Sequence, residues 1–118
     1  MLNVNAKNLG KVAILSFEGE ITNGQTRILR KAVQAMSPSR ALILDLSRVS
    51  TIDAHGLGVM LELRQETQSR GLEFELMNVS KPVSRVLEVS HLDSVFQIAP
   101  GLEIFPAIAR NHCATMAA

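Results

Sequence analysis

Ala41-Leu42-Ile43-Leu44-Asp45-Leu46-Ser47-Arg48-Val49-Ser50-Thr51-Ile52-Asp53-Ala54-His55-Gly56-Leu57-Gly58-Val59-Met60 reads as a buried strand, a polar turn and the opening of a helix. Ala41 to Leu44 is continuously apolar and stops at Asp45, the pattern of a parallel strand covered on both faces. Asp53 precedes a glycine-punctuated segment that leads into Val59, Met60, Leu61 and Leu63. An aspartate there can accept a hydrogen bond from the free N–H groups of a helix's first turn. Gly56 and Gly58 give the backbone room to pack closely or to lie open to a partner.

The flanking sequence supplies the other elements. Residues 2–7 predict a short strand, Asn8-Leu9-Gly10 a turn, and Lys11 to Glu18 a second strand, together an antiparallel hairpin. Gly19 to Gly24 then breaks the strand and offers Thr22 or Asn23 as a helix cap. Ile28, Leu29, Ala32, Val33 and Met36 form a helical stripe over Gln25 to Met36, which Ser37-Pro38-Ser39 ends. After the strand Ala41–Leu46, a second helix is expected from Ala54 to Arg70, closed by Gly71. Its early turns are apolar over a wide arc and its later turns polar, with Glu66 and Arg70 spaced to pair. Glu73 to Asn78 is the next strand. Ser80 is placed to cap a third helix with Pro82 in its first turn and Val83, Val86 and Leu87 inward.

A short strand around Val95 to Ile98 and a final helix from Leu102 to His112 complete the chain. Pro106 belongs in that helix's first turn or at a kink, since an interior proline costs about 3 kcal/mol. Residues 113–118 are expected to fray. The order β-β-α-β-α-β-α-β-α implies one α/β domain over residues 1–118. Its mixed sheet of about five strands opens with an antiparallel hairpin and continues through parallel right-handed crossovers, with about four helices.

Composition narrows the function. The 118 residues are 47% hydrophobic, with four Phe and no Trp or Tyr, so the core is aliphatic and base-stacking platforms are lacking. Twelve basic and eleven acidic side chains nearly cancel, with no long block of either sign. No footprint for nucleic acid or an anionic membrane follows. Cys113 is the sole cysteine, which excludes an internal disulfide and a cysteine zinc cluster. The start of the chain lacks the basic and apolar pattern of a signal peptide, and no apolar run is long enough to cross a bilayer. A soluble cytoplasmic protein with no direct membrane insertion is expected.

Catalytic motifs are missing. Gly56-x-Gly58 lacks the third glycine of a dinucleotide loop, and there is no Gly-Lys-Ser/Thr element of a P-loop. His55, His91 and His112 are scattered, and no serine stands in a Gly-x-Ser-x-Gly elbow. Neither an enzyme, a cofactor nor a metal site is expected. His55 has two readings: a pH-sensitive contact at a helix N-terminus, or a partly exposed neutral side chain at a turn. Met36, Met60 and Met77 read as core, and Cys113 as incidental.

The order of elements, the motif Asp45-Leu46-Ser47-Arg48-Val49-Ser50-Thr51-Ile52-Asp53-x-x-Gly56-Leu57-Gly58 and the segment Gly19-Glu20-Ile21-Thr22 together resemble a STAS domain. These are the anti-sigma factor antagonists and the related cytosolic domains of sulfate transporters, and the resemblance covers nearly the whole chain. It implies a STAS fold and a non-catalytic, protein-binding regulatory role in transcription and signalling in a bacterial cell. In the switchable members a partner kinase, the anti-sigma factor, phosphorylates a serine or threonine just after the motif aspartate. The phosphate adds about −1.5 to −2 charges and breaks the interface, while the helix N-terminus tolerates the anion. This chain departs there: the serine position is Ala54, the next is His55, and Thr22 stands where many switchable members have aspartate.

The resemblance thus implies an antagonist-like module that binds an anti-sigma factor/serine kinase through Thr22, Asn23, Asp53, Ala54, His55, Gly56, Leu57 and Gly58, without the usual phosphorylation switch. Ser50 and Thr51 are other hydroxyls near the loop. The alternative is a cytosolic STAS accessory subunit of an ABC-type phospholipid transporter, binding its ATPase subunit. A nucleotide- or lipid-binding sensor is a third class, resting on the loop alone.

Overall fold

The computed structural model describes residues 2–38 and 40–99. The hairpin expected at the start is present: β1 (Asn3–Leu9) runs antiparallel to β2 (Val12–Ile21), with Leu9 opposite Val12 and Asn3 opposite Glu18. β1 is a solvated edge strand, and its asparagines and lysine make it a poor template for further strand pairing. Then follow α1 (Thr26–Gln34), β3 (Ala41–Ile52), α2 (Ala54–Ser69), β4 (Glu73–Met77), α3 (Lys81–Val89) and β5 (Gln97–Ala99). The final helix expected over 102–112, with Pro106, and the frayed tail with Cys113 lie outside the described residues.

The five strands stand in sequence order, and every pair after the hairpin is parallel. Successive crossovers therefore all step the same way across the sheet. Right-handed connections that never reverse must leave their helices on one face. Burial agrees. Leu29 and Val33 of α1, Leu57, Met60 and Leu63 of α2, and Val83 and Leu87 of α3 share one cluster with Leu15, Phe17, Leu42, Leu44, Phe74 and Leu76. The opposite sheet face carries a smaller cluster of Val12, Ile14, Ala41, Ile43 and Met77. That two-sided burial is why Ala41–Leu44 reads as an unbroken apolar run. Met36 packs only partly against the main core, whereas Met60 and Met77 are buried.

The ends of β2 and β3 differ most from the sequence expectation, for one physical reason. β3 does not stop at Leu46 but continues to Ile52, and β2 passes through Gly19 to Ile21. From the pair Ser16–Asp45 to the pair Glu18–Arg48, β2 advances two residues and β3 three; from Gly19–Val49 to Glu20–Thr51, β2 advances one and β3 two. Each step is a bulge that inserts one residue into β3. The buried positions of β3 therefore fall at Leu44, Leu46, Val49 and Ile52, and the alternation that marks a strand is lost. The polar residues of the motif hold the bulges. Asp45 Oδ1 accepts from the Ser47 N–H at 3.0 Å, and Ser50 Oγ donates to the Gly19 carbonyl at 3.2 Å.

Helix ends show the same competition for polar groups. Neither Thr22 nor Asn23 caps α1: Gln25 holds the N-cap position without a side-chain cap bond, and its amide oxygen instead accepts from the Leu2 N–H at 3.0 Å. Ser80 holds the N-cap position of α3, with Pro82 in the first turn as expected, yet its hydroxyl donates to Val49 O at 2.6 Å. That bond ties the start of α3 to the end of β3. α2 closes at Arg70 with Gly71 at φ +81°, a left-handed conformation that glycine adopts without a Cβ penalty. Glu66 and Arg70 do not pair; among the described residues the ion pair of α2 is Glu62 with Arg30 of α1, at 2.8 Å.

Candidate functional site

The β3–α2 junction is built around one carboxylate. Asp53 is the N-cap of α2 in extended conformation, and its Oδ1 accepts from the Gly56 N–H at 2.8 Å. Its Oδ2 accepts from the Asn23 N–H at 3.1 Å, thirty residues away in sequence. The Asp53 N–H donates to Ile21 O at 3.3 Å. A single side chain thus caps α2 and fixes the β2–α1 segment beside it. The Gly56 N–H holds the Asp53 carboxyl below the ordinary carboxylate range, aided by the Asn23 N–H and the His55 charge against some desolvation.

The expected site residues separate into two groups. Gly56 and Leu57 are buried, and they build the junction rather than present it. A side chain on Gly56 would run into the Ile21 carbonyl, so glycine is what lets α2 start flush against the end of β2. Ala54, His55 and Gly58 are exposed, as is Asn23, while Asp53 and Thr22 are half-buried. A Cβ on Gly58 would meet nothing within 4 Å. The surface is therefore the first turn of α2 with the Thr22–Gly24 turn alongside, closed by a Gln25 N–H to Thr22 O bond of 2.8 Å. Ala54 and Gly58 lie four apart on the exposed side of α2, so a partner's backbone can come close.

Hydroxyl groups near this end are differently placed. Ser50 Oγ is engaged by Gly19 O, and Ser80 Oγ by Val49 O. Thr51 lines an open groove with Lys81, Pro82, Arg85 and Val86 of α3. No sequence motif marks that groove; only the Lys81–Arg85 spacing of four could have drawn attention to it. A second, polar cleft of about 410 Å³ lies over β1, β2 and β3 beside the first bulge, where Ser16 Oγ donates to Asp45 Oδ2 at 3.4 Å. Among the described residues its lining includes no imidazole beside that serine. Among the described residues no cluster of His, Cys, Asp and Glu could hold a metal ion, and no helix is long and apolar enough to cross a membrane.

A family model of the STAS domain matches residues 3–109. The chain belongs to the STAS-domain family. A STAS-domain containing protein of Pseudomonas aeruginosa is 26% identical over 92 residues, covering 76% of this chain and 90% of that protein. A candidate anti-sigma factor antagonist from Thermotoga maritima superposes with a TM-score of 0.77 at 25% identity, over 91% of this chain and 95% of that one. An anti-sigma factor antagonist from Mycobacterium paratuberculosis shares the fold with a TM-score of 0.76 at 24% identity, over 87% of this chain and 89% of that one. The STAS fold explains why the motif from Asp45 to Gly58 spans two elements. Its first half shapes the bulged end of β3, and its second half starts α2 beside it.

Proposed function

We propose that this STAS domain is a non-catalytic regulatory module that binds an anti-sigma factor/serine kinase through Thr22, Asn23, Asp53, Ala54, His55, Gly58 and the buried supports Gly56 and Leu57. The observation that carries the reading is the shared carboxylate of Asp53, which joins the α2 N-terminus and the β2–α1 turn into one preorganised surface. Preorganisation lowers the ordering cost of association, and the small exposed residues Ala54 and Gly58 let a partner approach. The fold shared with anti-sigma factor antagonists supports the same role.

Ala54 stands directly after the motif aspartate and has no hydroxyl to phosphorylate. The module therefore stays in its binding-competent form in the presence of an anti-sigma kinase and ATP. The test is incubation of the full chain with such a kinase and ATP, with phosphate mapped by mass spectrometry and binding followed by calorimetry. Binding without phosphate on residues 50–58 is expected. Stoichiometric phosphate on Ser50 or Thr51 would overturn the constitutive reading, and no binding would overturn the partner. Ala54→Ser should keep the melting temperature and gain phosphate at residue 54 from the same kinase.

A further inference from the structure

We propose that the outer face of α3, together with Thr51 at the end of β3, is a second docking groove that takes an acidic segment of a partner protein interspersed with apolar side chains. The groove has a volume of about 470 Å³ and is lined, among the described residues, by Thr51, Lys81, Pro82, Arg85 and Val86, two cations and no acid. Val89, three residues beyond Val86 and so on the same side of α3, is 75% exposed.

The charges are placed against the helix's own interest. Lys81 opens α3, where the macrodipole is positive and a cation is disfavoured, and the first turn has no acidic residue to offset it. Arg85 stands four residues on, a like-charge spacing that destabilises a helix. Glu88 is three residues from Arg85, yet among the described residues neither cation of α3 forms an ion pair. The Ser80 hydroxyl, which could have capped this turn, is bonded to Val49 O instead. Local rules broken without a return inside the fold are expected where a partner supplies the return.

Acidic side chains would satisfy Lys81 and Arg85, and apolar ones would cover the Pro82–Val86–Val89 strip. That mixed surface suits a protein segment better than a free anion, which has no use for the apolar floor. Thr51 lies two residues before Asp53, so the groove adjoins the α2 loop, but the inference does not depend on that loop's partner.

The test is an NMR titration of the full isotope-labelled chain with a synthetic peptide alternating leucine with glutamate and aspartate. The control is the same peptide with glutamine and asparagine in place of the acids. Amide shifts at Thr51, Arg85, Val86 and Val89 are expected with the acidic peptide alone, shrinking as salt shortens the screening length. A Lys81→Glu/Arg85→Glu variant should lose affinity by about tenfold or more, since like charges now face each other. Its melting temperature should change little, because an acid at position 81 suits the helix N-terminus while the like-charge spacing of 81 and 85 is kept. Absence of shifts, equal shifts with the neutral peptide, or unchanged affinity in the variant would overturn the proposal. So would the same shifts from inorganic phosphate at equal concentration, which would make the groove a simple anion site. Kinase binding is measured separately, so either reading can fail alone.

Discussion

Replacing Asp53 tests the junction at its centre, because one carboxylate makes two separable contacts. Asp53→Ala removes the bond from Gly56 N–H at 2.8 Å and the bond from Asn23 N–H at 3.1 Å. Loss of an N-cap aspartate costs about 0.5–2 kcal/mol. The Asn23 N–H is at the surface, where water replaces the lost acceptor, so its share is only about 0.5–1 kcal/mol. The sum of about 1–3 kcal/mol should lower the melting temperature by roughly 4–12 °C for a chain of this length. Asp53→Asn separates the two contacts. Asparagine is as good an N-cap as aspartate, so its oxygen can keep Gly56, while the amide nitrogen turned toward Asn23 cannot accept. Its expected cost is about 1 kcal/mol or less.

Thermal unfolding by circular dichroism gives the stabilities, and amide hydrogen exchange locates them. In Asp53→Asn, exchange at Asn23 should accelerate while Gly56 stays protected; in Asp53→Ala both should accelerate. The acid limb supplies a further check. A carboxylate whose pKa is depressed in the folded state stabilises at full strength above its unfolded value of 3.8, and the contribution fades as pH falls through the lower folded value. The gap between wild type and Asp53→Ala should therefore close below that range. Equal losses in the two variants, or unaltered Asn23 exchange in Asp53→Asn, would refute the shared-carboxylate arrangement.

Other substitutions probe the same junction and the sheet behind it. Leu57→Ala should cost about 2–5 kcal/mol in urea unfolding, because the side chain is 6% exposed in the main core; a loss under about 0.5 kcal/mol, typical of surface sites, would place Leu57 on the surface. Gly56→Ala should destabilise through its collision with Ile21 O, whereas Gly58→Ala should stabilise by up to about 1 kcal/mol through helix propensity while weakening partner binding. Matching melting-temperature shifts for the two glycines would contradict this. Glu75 on β4 is half-buried, and desolvation with its Glu73 neighbour pushes its pKa from 4.5 up to about 7. A raised carboxyl binds its proton more tightly when folded, so stability should fall between pH 4.5 and about 7. Glu75→Gln should remove that slope and stabilise at pH 8 by about 1–2 kcal/mol, after discounting the full linkage for partial solvent screening. A denaturation series from pH 4 to 8 with identical slopes for both proteins would exclude Glu75 as the source.

How far the site could be read beforehand depends on the range of the interactions that make it. The cap at Asp53, the left-handed Gly71 and the first-turn Pro82 follow from bonds and dihedrals within a few residues, so their spacing announces them. The end of β3 was not legible in this way. Its bulges exist only in register with β2, and without that partner Ser47 to Thr51 resembles a polar turn. The apolar early turns of α2 already mark Leu57 for packing, but nothing local tells whether Gly56 faces Ile21 or a partner.

By itself, then, the chain's local chemistry determined the element order as far as β5, the aliphatic core, the α2 cap and the STAS motif, and it located the missing hydroxyl at Ala54. Only the tertiary structure decided that all three described crossover helices share one sheet face, since that depends on strand order. It also decided that Asp53 reaches Asn23 across thirty residues, and that Lys81 and Arg85 meet Thr51 in one groove. Those contacts arise where strand ends converge in space, a proximity that sequence spacing does not encode.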